Sequence, residues 1–138
     1  PPLGLRRLKQ DVARDLLPKQ RRLYPRLMPP HQEAHYEDAK LKLATGGLGA
    51  ALKALHHIRT VSVHPDLHAD GDDADFIGSS ARLQATFDIL RAIQKKRERA
   101  LVFIEHRQMQ YRFIELVRAE FGLGKIDLIN GDTPIPQR

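Results

Sequence analysis

The sequence predicts an α/β protein: a helix–strand–helix–strand unit with parallel strands, preceded by a mainly helical subdomain. Three observations predict it. Ala100-Leu101-Val102-Phe103-Ile104 is a short, unbroken apolar run, the pattern of a strand covered on both faces. Phe113, Leu116, Val117 and Phe121 then recur at helical spacing, and Gly122 supplies a stop. Ile126-Asp127-Leu128-Ile129 reads as a second short strand, closed by Asn130-Gly131. Strand, helix and strand within about 30 residues make a βαβ unit with a right-handed crossover. Two strands do not make a stable parallel sheet, so the unit reads as truncated at Arg138. Its unprotected edges imply a homo-oligomer formed through the exposed sheet edge.

The expected organisation is a basic segment over residues 1–28, a helical subdomain over 29–65, an acidic flexible loop over 66–79 and the α/β unit over 80–138. Leucines scattered among charges over residues 3–17 suit a short helix ending before Pro18. Pro25, flanked by Leu23-Tyr24 and Leu27-Met28, suits an extended edge segment. Pro29-Pro30 opens a helix carrying Tyr36, Ala39 and Leu43, which Thr45-Gly46-Gly47 breaks. Leu48, Leu52, Leu55 and Ile58 share one face of a second helix ending before His64-Pro65. The polar stretch that follows holds Asp66, Asp70, Asp72, Asp73 and Asp75. Ser79 or Ser80 caps the next helix, whose apolar stripe is Leu83, Phe87, Leu90 and Ile93.

The chain of 138 residues is long enough to bury a core. It is 41% hydrophobic and 29% charged, and contains no cysteine. Disulfides and thiolate metal sites are therefore excluded, which fits a cytoplasmic protein. No apolar run approaches the roughly 18 residues that span a bilayer, so no membrane partner is expected. The opening residues have no apolar stretch like that of a signal peptide. Net charge is +6, with basic clusters before residue 28 and at Arg91, Lys95, Lys96, Arg97 and Arg99. Clustered positive charge attracts phosphate backbones and binds them salt-sensitively.

Few side-chain sets suggest chemistry. Gly46, Gly47 and Gly49 lack the Gly-Lys-Ser/Thr of a phosphate loop and read as a helix-breaking turn. His56, His57, His64 and His68 lie near Asp66, Asp70 and Asp72 in sequence, at a spacing that matches no standard metal site. Glu105 and His106 follow the first apolar run, where open α/β sheets bind ligands, but no nucleophile accompanies them. Ser79 and Ser80 start a helix at Arg82, which would bring free backbone amides and a guanidinium together, a setting for a phosphate. The turn Asn130-Gly131-Asp132-Thr133 offers amides and a hydroxyl to another.

The order of these features resembles Swi/Snf-type ATP-dependent DNA translocases, from the inter-lobe segment into the second motor lobe. Arg7 through Asp11-Val12, Leu17-Pro18-Lys19 and Gln32 through Tyr36 are similar to the stretch leaving the first lobe. Leu55 to Pro65 resembles a helix ending in Asn-His-Pro, with Val63 in place of the asparagine. Ser80-Ala81-Arg82-Leu83 resembles the Ser-x-Lys-Leu that opens the second lobe. Residues 100–103 resemble the strand of helicase motif IV, with Ile104-Glu105 where the family has Ser-Gln. Asn130-Gly131-Asp132-Thr133 and the later Arg138 resemble the Asp-Gly-Ser-Thr turn and its arginine.

The resemblance implies a partial RecA-like lobe that contacts duplex DNA through Ser80, Arg82, Gly131, Asp132, Thr133 and Arg138. ATP and magnesium would belong to the parent motor, a DNA-dependent ATP hydrolase. The Walker motifs and the arginine finger lie outside this stretch, so no catalytic residue, bound cofactor or metal ligand is expected here, and no ATP turnover by this chain alone. Two other readings stay open: a free-standing basic DNA-binding module without motor activity, and an unrelated α/β enzyme with a pocket near Glu105 and Asn130.

Overall fold

The computed structural model describes residues 8, 12, 13, 15, 20–68 and 71–134. The helix expected over residues 3–17 falls largely outside them, as do Asp70 and Arg138. Five helices lie wholly within the described residues: α1 Pro30–Thr45, α2 Leu48–Val63, α3 Asp73–Gly78, α4 Ala81–Lys96 and α5 Arg107–Phe121.

Each helix has a local reason to begin and end. Pro30 occupies the first turn of α1, where a missing N–H costs nothing. Gly46 joins α1 to α2 at close quarters: a Cβ there would lie 2.8 Å from the Lys42 carbonyl oxygen and 2.9 Å from the Ala50 Cβ. Glycine alone fits without displacement, so α1 and α2 pack as a hairpin across a two-residue link. α2 stops because Pro65 drives His64 out of the helical region, to φ −158° and ψ 135°. Asp72 caps α3 by accepting from the Ala74 N–H, and Ser80 caps α4 by accepting from the Leu83 N–H. Gly122, at φ 61°, closes α5 in the left-handed conformation that glycine tolerates best.

The core gathers Leu67, Phe76, Leu83, Phe87, Met109, Phe113, Leu116 and Val117. Phe87 is fully enclosed, edge-on to Phe113 and stacked 6.0 Å from Phe121. The segment read as an acidic flexible loop is anchored to this core. Its residues 73–78 form α3, Leu67 and Phe76 are buried, and Arg112 pairs with Asp73 at 2.8 Å while lying over the Phe76 ring.

The α/β expectation is overturned. Among the described residues there is no β-strand and no sheet, so the partial RecA-like lobe with parallel strands is not formed. Residues 101–105 and 125–129 are non-helical, but no ladder hydrogen bonds connect them. The continuous apolar pattern of residues 100–104 presupposes cover on both faces, and that cover is absent: Leu101 is 87% exposed and Phe103 92%. Only Ile104 and, from the second run, Ile126 pack against the core. Without neighbouring strands the backbone groups here have no ladder to join. The exposed sheet edge expected to drive oligomerisation is likewise absent; what is exposed is an unpaired apolar segment.

No helix among the described residues is long and apolar enough to cross a membrane.

Candidate nucleic-acid interface and the helical joint

The start of α4 is positioned by a joint with the α1–α2 hairpin. Val61 would ordinarily give its carbonyl to the N–H four residues on, but that residue is Pro65, which has none. Gln32, fully buried on α1, donates its side-chain Nε2 to the Val61 carbonyl at 2.9 Å. Its Oε1 accepts from the Ala81 N–H at 3.0 Å. Ser80, also fully buried, donates its hydroxyl to the Val63 carbonyl at 2.6 Å while capping α4. One amide and one hydroxyl thus satisfy the end of α2 and the beginning of α4 together.

His64 completes the joint. Its Nδ1 accepts from the Asp66 N–H at 3.0 Å, which leaves Nε2 as the protonated nitrogen that donates to the Phe76 carbonyl at 2.9 Å. Burial holds this imidazole below the usual histidine range, against the opposing pull of the Phe76 carbonyl and of Asp66. The ring is neutral and structural.

This geometry redistributes the expected DNA contacts. Ser80 has no exposed surface and its hydroxyl is engaged on both sides, so it serves the fold. The free amides expected at the start of α4 are mostly spent, since those of Ala81 and Leu83 have partners inside the protein. Arg82 is exposed, and its guanidinium makes no ion pair among the described residues, the acidic residues 66, 72, 73 and 75 included. It lines an open cleft of about 390 Å³ between residues 24–28 and the first turns of α4, with Tyr24, Arg26 and Thr86 around it. Arg26 reaches across to Asp88 at 2.6 Å, an exposed pair that contributes little to stability.

The turn at residues 130–133 is a separate structure. The Asn130 side chain accepts from the Asp132 N–H at 2.9 Å, and the Thr133 hydroxyl accepts from the Asn130 N–H at 3.0 Å and donates to the Leu128 carbonyl. α5 braces it: Arg107 and Tyr111 both bond the Asp132 carboxylate, and Gln110 links the Asn130 amide to the Ile104 carbonyl. Asp132 therefore has its charge answered by Arg107. Gly131 is exposed and Thr133 half-buried. No turn residue lines the Arg82 cleft. The roles of Arg107, Gln110 and Tyr111 were missed from sequence; their spacing on one face of a helix next to a polar turn was the available signal.

The remaining candidates separate. Glu105 pairs with Arg59, away from catalysis. His106 sits at the N-terminus of α5 with Nδ1 buried and without a partner among the described residues. Burial, then the nearby His56 and His68, hold its imidazole below the usual histidine range. Among the described residues the histidines and aspartates named from sequence form no ligand cluster; Asp66 instead meets His31 and His35. No family model, no curated protein and no solved structure matches this chain.

Proposed function

We propose that this chain is a DNA-contacting, non-catalytic piece of an ATP-dependent DNA translocase of the Swi/Snf type. The observation that carries the reading is the convergence of its motif residues. Gln32, the His64-Pro65 pair and Ser80 come from three separate stretches that resemble that family. In the fold Gln32 and Ser80 bond the Val61 and Val63 carbonyls just before the His64-Pro65 pair, and Gln32 also holds the Ala81 N–H next to Arg82. A series of motifs with a common structural purpose is harder to obtain by chance than the same residues scattered over a surface.

Arg82 supports the same reading. An exposed guanidinium beside a cleft and without an acidic partner among the described residues suits a backbone phosphate, and arginine offers two parallel hydrogen bonds to one. The large exposed apolar side chains Leu101 and Phe103 favour a part of a larger body over a free-standing DNA-binding module. The chain carries no phosphate loop, so ATP and magnesium would be handled by the rest of such a motor, in a cytoplasmic setting.

The test is titration of duplex DNA at low and moderate salt with the parent chain, Arg82→Ala and the charge-matched Arg118→Ala. The parent should bind weakly, without sequence preference and less well as salt rises. Arg82→Ala should weaken binding and reduce the salt slope by about one, and Arg118→Ala should not. Equal binding by both variants and the parent removes Arg82 from the interface and the reading with it.

A further inference from the structure

We propose that His31, His35 and Asp66 form a binding site for a transition-metal dication of the zinc class, fastening the first turns of α1 to the turn that follows α2. His31 and His35 are four residues apart on α1, so their rings project from the same face. The ring centroids are 4.5 Å apart, with an interplanar angle of 62°. Asp66 comes from the turn after α2, and its Oδ2 lies 2.6 Å from His31 Nε2. One ligand atom from each of the three residues lies within 4.8 Å of the others. Zinc bonds of about 2.0–2.2 Å place tetrahedral ligands about 3.3–3.5 Å from one another. Modest side-chain rotations therefore close the set around an ion, which would take the place of the hydrogen bond between His31 and Asp66.

The carboxylate arm stands on a held backbone. The Asp66 N–H is bound to His64 Nδ1, and the His64 ring is stacked on Phe76 at 3.8 Å. Such outer supports orient a ligand before an ion arrives. Two imidazoles and one carboxylate suit zinc, cobalt or nickel, whereas magnesium and calcium prefer all-oxygen shells. Three protein ligands leave the remaining position to water. Gln32, next to His31, holds the inner side of the same joint, so an ion here would clamp from outside what Gln32 ties from within.

Chelator-stripped protein should be titrated with zinc chloride by calorimetry and with cobalt chloride by visible absorption, and its thermal midpoint followed with and without zinc. One equivalent should bind, cobalt should develop the d–d bands of a low-coordinate nitrogen–oxygen site, and zinc should raise the midpoint. His31→Gln, at the surface, and His35→Gln, half-buried, should keep the fold by circular dichroism, weaken zinc at least about tenfold and abolish the rise. Asp66→Asn should also weaken zinc. His57→Gln, on the exposed side of α2, serves as control and should bind like the parent. Zinc affinity unchanged in the His31 and His35 variants, or lost equally in His57→Gln, overturns the site and leaves an ordinary surface pair between His31 and Asp66.

Discussion

The Gln32 side chain supplies Val61 with the hydrogen bond that Pro65 withholds. Nε2 of Gln32 lies 2.9 Å from the Val61 carbonyl, and Oε1 of the same amide holds the Ala81 N–H at 3.0 Å. A proline that ends one helix thereby creates the acceptor through which another helix is attached. The arrangement explains why a glutamine occupies a fully buried position on a helix whose other buried residue is Ala39.

Replacing Gln32 with methionine keeps most of the volume and removes both bonds. A buried acceptor and a buried donor are orphaned, each costing about 1–3 kcal/mol. Urea denaturation of Gln32→Met should show a clearly lowered midpoint; an unchanged midpoint would mean that the joint contributes nothing to stability.

Phe87 and Phe103 should respond oppositely to truncation. Phe87→Ala leaves a cavity among Phe113, Phe121 and their neighbours and should cost about 3–5 kcal/mol. Phe103→Ala removes a ring that is 92% exposed and should change stability by no more than about 0.5 kcal/mol. A large loss at Phe103 would show that the apolar run is covered after all.

Ser80→Ala should separate stability from binding. It removes the cap of α4 and the bond to Val63, and the cap alone is worth about 0.5–2 kcal/mol. Duplex DNA affinity, measured well below the unfolding midpoint, should remain that of the parent because the hydroxyl is buried. Weakened affinity in folded Ser80→Ala protein would return the residue to the interface.

His106 should make stability fall in mild acid. Its folded pKa lies below the ordinary value of 6.5 because of burial and then of the neighbouring His56 and His68 imidazoles. The unfolded chain therefore takes up its proton first. The contribution is present above about pH 6.5 and is lost as pH falls toward and through the lowered folded value. Chemical denaturation across pH 5–8 should show this loss, and His106→Gln should reduce it, leaving the part that the buried His64 contributes in the same direction. Identical pH profiles for the two proteins would contradict the assignment.

Four of the five helices were legible because local rules govern them; α3, inside a stretch read as a loop, was not. Pro30, Gly46, the His64-Pro65 pair, Ser80 and Gly122 act through backbone sterics and capping bonds that need no distant partner. The candidate site was legible in part. Arg82 could be marked as a cation at a helix start, but the spending of the neighbouring amides depended on Gln32, which lies far away in sequence. His31 and His35 were missed from sequence despite their helical spacing, and their meeting with Asp66 needed the fold of the hairpin.

The sequence by itself determined most of the helix bounds, α3 excepted, the basic character of the chain and the absence of a phosphate loop, because composition and short-range sterics decide these. Tertiary structure alone decided the fate of the apolar runs at residues 100–104 and 126–129. A strand is a property of its neighbours: its backbone groups require ladder partners and its faces require cover. Here α3, α4 and α5 close a core that takes in only Ile104 and Ile126, so the rest of each run stays unpaired and the fold is helical.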